Sequence, residues 1–172
     1  MWDLIFSGME AFGTIIGAIL IVKQISLTRE SNEKNELIKR KEMTLNAYNA
    51  ISDELRKHNE ILKEKFNLQG HSKLSKDDMS VLLENPELMK HLYFIYDYFA
   101  RLSIGVKNGI YDLDVLIDLS GRWMVRTFDR YEVYIEYTRN TYSKEIYKET
   151  EEFINRIRKY FIKKGEQNLE KS

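Results

Sequence analysis

The apolar and polar positions divide the chain into one continuous apolar run and a longer part with helical periodicity. The run covers residues 4–22 and contains a single charged residue, Glu10. From about Gln24 to Phe66, isolated apolar residues recur among charged ones without any proline or glycine. This pattern predicts one long helix or two in line. Because strand-like alternation is scarce, the predicted fold class is all-α.

The apolar run has the length of a transmembrane helix. It is about 19 residues long, close to the roughly 20 that cross a bilayer. No basic residue precedes it, whereas Lys23 and Arg29 follow it. We therefore expect a retained single-pass anchor over residues 1–24, not a cleaved signal peptide. The positive-inside rule then places the protein in the inner (cytoplasmic) membrane with the N-terminus out and the C-terminal domain cytoplasmic.

Polar and small residues in and just after this run share one side of the predicted helix, at 100° per residue. They are Ser7, Glu10, Gly13, Thr14, Gly17 and Gln24. Two interpretations stay open: Glu10 lies near the surface and snorkels or is protonated, or the stripe lines a seam between helices of a homo-oligomer. With enough copies, that seam would face a water-filled pore. An interfacial amphipathic helix is disfavoured, because the polar face is narrow and lacks basic residues.

The rest of the chain divides into a long juxtamembrane helix over residues 25–66, a helical cytoplasmic domain over 67–164 and a polar tail over 165–172. Capping patterns mark three helix starts, and Asn108-Gly109 marks a helix end. The predicted caps are Ser75 with Asp78, Asn85 before Pro86, and Asp112. Most aromatic residues lie between Tyr93 and Phe161, where we expect the core.

The composition argues against several classes of chemistry. The chain has 27 basic and 27 acidic residues and a net charge of zero, which disfavours a nucleic-acid partner but leaves it open. It has no cysteine, and His58, His71 and His91 form no HxxxH or HExxH pair. A phosphate-binding glycine loop is also absent from the sequence. We therefore expect no catalytic residue, no metal and no cofactor.

Two other patterns have a structural and a functional interpretation. Tyr131, Tyr134 and Tyr137 could stack on bases, but a half-buried core face is the favoured interpretation. A basic run late in the last helix is attributed to the helix dipole, with contact to RNA or anionic lipid left open. It comprises Arg156, Arg158, Lys159, Lys163 and Lys164.

Residues 93–102, YFIYDYFARL, are followed by GVKNGIYD at residues 105–112. With Gly121-Arg122 and residues 130–139, these segments resemble a family of bacterial single-pass membrane proteins with a helical cytoplasmic domain of unknown function. The resemblance covers about residues 93–161 and the position of the anchor, and it implies no catalytic residues.

A weaker resemblance is to the small membrane accessory proteins of RNA-targeting CRISPR systems. It implies a single anchor, a helical cytoplasmic domain and assembly into membrane pores during antiphage defence. The Arg…His motif of those proteins is not matched, since no histidine follows His91.

Together, these patterns predict a membrane-anchored, non-enzymatic homo-oligomer that forms a pore in antiphage defence, with the lipid bilayer and further copies as partners. The alternative is a membrane-tethered adaptor whose helical domain binds a partner protein or RNA. A divergent ribonuclease would need an active site that the sequence does not show. Five residues are predicted to form the domain junction or subunit contacts: Arg101, Tyr111, Asp112, Arg122 and Arg139.

Overall fold

The computed structural model describes the backbone of residues 2–165 and the side chains of residues 23–165. The described chain contains seven α-helices and no strand, so the all-α prediction is confirmed. The helices are α1 (Trp2–Asn49), α2 (Ser52–Lys65), α3 (Lys76–Leu83), α4 (Pro86–Lys107), α5 (Leu113–Arg130), α6 (Glu132–Thr141) and α7 (Lys148–Lys163). The chain divides into two compact units, residues 1–39 and residues 40–172.

The first unit corrects the predicted membrane architecture. Charged residues recur along α1 from Lys23 onward, and every side chain described in residues 23–39 is exposed. Within the range whose side chains are described, no helix combines the length and the apolar character needed to cross a membrane. The predicted N-terminal transmembrane helix and the single-pass location in the inner membrane are therefore wrong. The membrane and pore parts of the predicted function depend on that helix and are contradicted with it.

The polar stripe lies almost wholly outside the residues whose side chains are described. This holds for Ser7, Glu10, Gly13, Thr14 and Gly17. The backbone of α1 passes residue 24, the predicted end of the anchor, without a break. The first interruption in the helical chain comes at residues 50–51, between α1 and α2.

In the second unit, side-chain caps fix where three helices begin. Ser75 and Asp78 form a reciprocal capping box at α3, with both backbone-to-side-chain contacts at 3.0 Å. Asn85 Oδ1 accepts hydrogen bonds from the first-turn amides of α4 at 3.1 and 3.2 Å. Asp112 Oδ1 accepts one from Val115 N at 3.1 Å at the start of α5. All three predicted caps are confirmed.

Helix α4 lies at the centre of the core. It contacts α2, α3 and α7, and its side chains Leu92, Ile95, Tyr96 and Phe99 are fully buried. Fully buried apolar side chains of this size each contribute about 1.5–3 kcal/mol to folding. The aromatic core predicted from the sequence is thus confirmed.

Tyr131 and Tyr134 belong to this core, and Tyr137 packs against it. The phenol of Tyr131 bonds to Asn59 Oδ1 at 3.0 Å, inside the unit. Buried rings are not available to stack on bases. This burial supports the structural interpretation of the tyrosine series.

Candidate functional site

The five residues predicted for the domain junction or subunit contacts lie in several separate places. Arg101 is exposed on α4 and forms an ion pair with Asp97, one turn earlier, at 2.8 Å. Tyr111 is half-buried, and its ring lies where a Cβ on Gly105 would stand. Asp112 caps α5, and its backbone N–H donates to Thr44 Oγ1 at 2.8 Å. Gln24, predicted for the anchor seam, is exposed on α1 in the first unit.

Arg139 fixes the connection between α6 and α7. Its Nε donates to the Ile146 carbonyl at 3.1 Å, and its Nη2 lies 2.7 Å from Glu151 Oε2. Tyr147, at the end of this connection, has a left-handed backbone with φ of 58° and a hydroxyl 3.1 Å from that of Tyr134. Arg139 therefore holds an internal connection, and its predicted role in subunit contact stays a prediction.

Arg122, the fifth of these residues, lies in a groove between α5 and α7. This open cavity of about 350 Å³ is called the α5–α7 groove below. Its lining combines exposed charges, aromatic rings and small residues. The lining residues are Ile117, Asp118, Leu119, Ser120, Gly121, Arg122, Trp123, Tyr160, Phe161 and Lys164.

Two cations of the groove rest on aromatic rings. Arg122 Cζ lies 5.0 Å from the centroid of the Phe161 ring. Lys164 Nζ lies 4.6 Å from the centroid of the Tyr160 ring. Each such contact is worth about 0.5–1 kcal/mol at an exposed site. The rings hold the two cations at the groove, so less side-chain freedom is lost when an anion binds.

The floor of the groove is formed where α5 and α7 approach each other. A Cβ on Gly121 would stand 3.1 Å from Ile157 and 3.2 Å from Phe161, so the glycine permits this close packing. The neighbouring hydroxyl of Ser120 is buried and has no hydrogen-bond partner among the described residues. A buried hydroxyl without a partner is costly.

Basic residues continue along α7 away from the groove. Arg156, Lys159 and Lys163 are exposed, while Arg158 forms an ion pair with Asp129 of α5 and bonds to Asn155 Oδ1. The exposed cations close to the end of α7 interact favourably with the helix dipole. An interaction of these cations with the helix dipole is compatible with a role in binding an anion, because both depend on positive charge on α7.

The described residues at the groove offer binding groups. No group of three or more His, Asp or Glu residues in the described range is arranged to hold a metal ion. The polar groups on the lining side chains are two hydroxyls, an indole N–H, two cations and the carboxylate of Asp118. The groove can hold a ligand that carries negative charge and apolar surface together.

A contact that the sequence analysis missed joins α2 to α4. The Nδ1 atoms of His58 and His91 lie 2.7 Å apart, although the two residues are 33 positions apart in the chain. A glutamate precedes each histidine by one helical turn, Glu54 and Glu87. This repeated Glu-x-x-x-His spacing was the available signal, but spacing within each helix did not show that the helices pack together.

Comparison with known proteins identifies one family. The model of a domain of unknown function, DUF4760, matches residues 11–157. No curated protein and no solved structure matches the chain significantly. The matched range runs from α1 into α7 and includes Arg122 and the whole of α5.

Proposed function

This chain belongs to the DUF4760 family, a domain of unknown function, and we propose that it is a non-enzymatic binding module. Its α5–α7 groove would hold a short acidic and apolar segment of a partner protein. The observation that carries the proposal is the pair of cations, Arg122 and Lys164, each resting on an aromatic ring at one cavity. The predicted role in antiphage defence stays a prediction.

The local charge favours an anionic ligand in a chain that is neutral overall. The net charge is zero, yet exposed cations are concentrated at the end of α7 and at Arg122. Clustered cations raise the local concentration of anionic ligands and increase their association rate. Aromatic residues and arginine are also the side chains most enriched at the centres of protein interfaces.

A protein segment suits the groove better than a nucleic acid. Asp118 lines the groove, and Asp129 of α5 neutralises Arg158 of α7, which reduces the basic surface. A continuous phosphate backbone needs a wider basic surface than the two cations of this groove provide. A peptide with spaced carboxylates and apolar residues can reach both cations and cover Trp123, Tyr160 and Phe161.

A synthetic peptide that alternates glutamate with leucine and phenylalanine tests this proposal, with fluorescence anisotropy as the readout. We expect Arg122→Glu and Lys164→Glu each to weaken binding about tenfold or more, because each change puts a like charge against the peptide. Arg101→Glu, an exposed charge reversal on α4, is the matched control and should leave the affinity unchanged. Equal affinity of the wild type and the three variants for the peptide would overturn the proposal. Tighter binding of a uridine oligonucleotide than of the peptide would indicate an RNA ligand.

A second candidate function, self-association, is favoured by the first unit. Leu27 and Ile38 are 57% and 55% exposed, and at about 100° per residue they lie on one side of α1. In the stretch of α1 over residues 23–39 every described side chain is exposed, so this stretch gains no tertiary packing, which supplies most helical stability in proteins. A second copy of this chain, packed along the side of α1 that carries Leu27 and Ile38, would supply this packing.

The oligomeric state tests this second proposal. Light scattering on the full chain should give a mass above that of one chain, and Leu27→Lys with Ile38→Lys should reduce it to one chain. Arg29→Ala with Glu36→Ala changes exposed residues on the opposite side of α1 and should leave the mass unchanged. A monomeric wild-type chain, or a double lysine variant that keeps the oligomer, would contradict self-association through this side of α1.

A further inference from the structure

The histidine pair between α2 and α4 requires a defined proton arrangement. Both rings are half-buried, and Phe94 stacks on the His58 ring with 4.1 Å between ring centroids. Two ring nitrogens 2.7 Å apart must share a hydrogen, so one imidazole donates and the other accepts. In this arrangement, the two nitrogens cannot both carry a proton.

The carboxylates one turn earlier indicate which ring donates. Glu54 Oε1 lies 3.9 Å from His58 Nε2, which favours a proton on that nitrogen. A neutral imidazole has one N–H, so the Nδ1 of His58 is then the acceptor and His91 donates from its own Nδ1. The charged groups that act on the pair come from both helices: Glu54 and Lys57 on α2, and Glu87 and Lys90 on α4.

We propose that the His58–His91 pair is a pH-sensitive latch between α2 and α4 that accepts one proton and is broken by a second. The first added proton binds the Nε2 of His91 and leaves the hydrogen bond between the Nδ1 atoms intact. The second proton must bind the Nδ1 of His58, where it would face the N–H of His91. Two imidazolium charges in contact would then separate the helices.

The ionisation of the two rings has the direction that this latch requires. Burial lowers the pKa of His58 below 6.5, and the facing His91 lowers it further. Burial likewise lowers the pKa of His91, against the attraction of the Glu87 carboxylate. The unfolded chain binds these protons more readily than the folded chain. The contribution of the two neutral rings to stability is therefore full above the pKa of histidine in the unfolded chain, and it is lost as the pH falls below that pKa.

Urea unfolding of the full chain between about pH 8 and pH 5, the range in which histidine changes charge, tests the latch. Once the pH is low enough to protonate His91 in the folded chain, the unfolded chain would bind two protons at these residues and the folded chain one. For each unit by which the pH falls, the unfolding equilibrium constant of the wild type should therefore rise about tenfold more than that of His58→Gln. His71→Gln, which changes an exposed histidine outside the helices, should keep the wild-type dependence. Equal pH dependence of wild type and His58→Gln would overturn the proposal.

Nitrogen NMR of the imidazole rings gives a second readout on the unsubstituted protein. One ring should become charged while the protein stays folded, and the other should stay neutral until unfolding. A folded protein with both rings charged would overturn the latch, even if His58→Gln failed to fold. Either result is independent of ligand binding at the α5–α7 groove.

Discussion

Gly105 shows how a single residue shapes the second unit. Its carbonyl accepts hydrogen bonds from the amides of Ile110 and Tyr111 at 2.9 and 3.1 Å. A Cβ at this position would stand 2.1 Å from the Tyr111 ring, which is closer than atoms can approach. The turn from α4 to α5 therefore depends on the absence of a side chain at residue 105.

Gly105→Ala should destabilise the protein by about 1–3 kcal/mol, the usual cost of forcing extra volume into packed structure. The tyrosine ring has to move, and this cost exceeds the gain of about 1 kcal/mol that alanine brings to a helix. Urea unfolding of wild type and variant measures the difference.

A double-mutant cycle identifies the ring as the cause. In a Tyr111→Ala background, Gly105→Ala should become neutral or stabilising, because the clash is absent. A cost that persists unchanged without the ring would show that Tyr111 is not responsible. Gly121→Ala, a helical glycine with more room, should cost less than Gly105→Ala.

At the scale of helices, caps are the features best predicted from sequence. Each cap joins residues no more than three positions apart, such as Ser75 with Asp78, so the pattern is visible in a short window. Asn85 and Asp112 were located by the same logic. By contrast, α1 and α2 are separated only by a short turn at residues 50–51 that contains neither proline nor glycine, so its place could not be predicted.

Asp112→Ala should destabilise the protein by about 1 kcal/mol, with a usual range of roughly 0.5–2 kcal/mol for a lost helix cap. The amide of Val115 would lose the oxygen that now accepts its hydrogen bond. Thermal unfolding, compared at equal protein concentration, measures the loss.

Asp114→Ala is the matched control for this cap. Asp114 is an exposed acid in the first turn of the same helix, so its removal changes the dipole interaction but not the cap. A loss as large as that of Asp112→Ala would attribute the effect to charge and not to capping.

At the scale of the whole molecule, contacts between distant parts of the chain could not be predicted. The predicted aromatic core is present, because burial follows from residue type and spacing alone. The α5–α7 groove joins Arg122 to Lys164, and the histidine pair joins residues 33 positions apart. These juxtapositions depend on which helices pack together. The membrane anchor, which the structure contradicts, was predicted from one segment, residues 4–22, taken by itself.

The most direct test of the proposed groove is an exchange of charges between protein and ligand. Arg122→Glu with Lys164→Glu should lose affinity for the glutamate-containing peptide and gain it for the same peptide with lysine in place of glutamate. Quenching or enhancement of Trp123 fluorescence, measured in a Trp2→Phe background, reports binding at the groove itself. Restored binding of the lysine peptide, with a change at Trp123, is the result we predict. A double variant that still prefers the glutamate peptide would contradict the groove as the binding site.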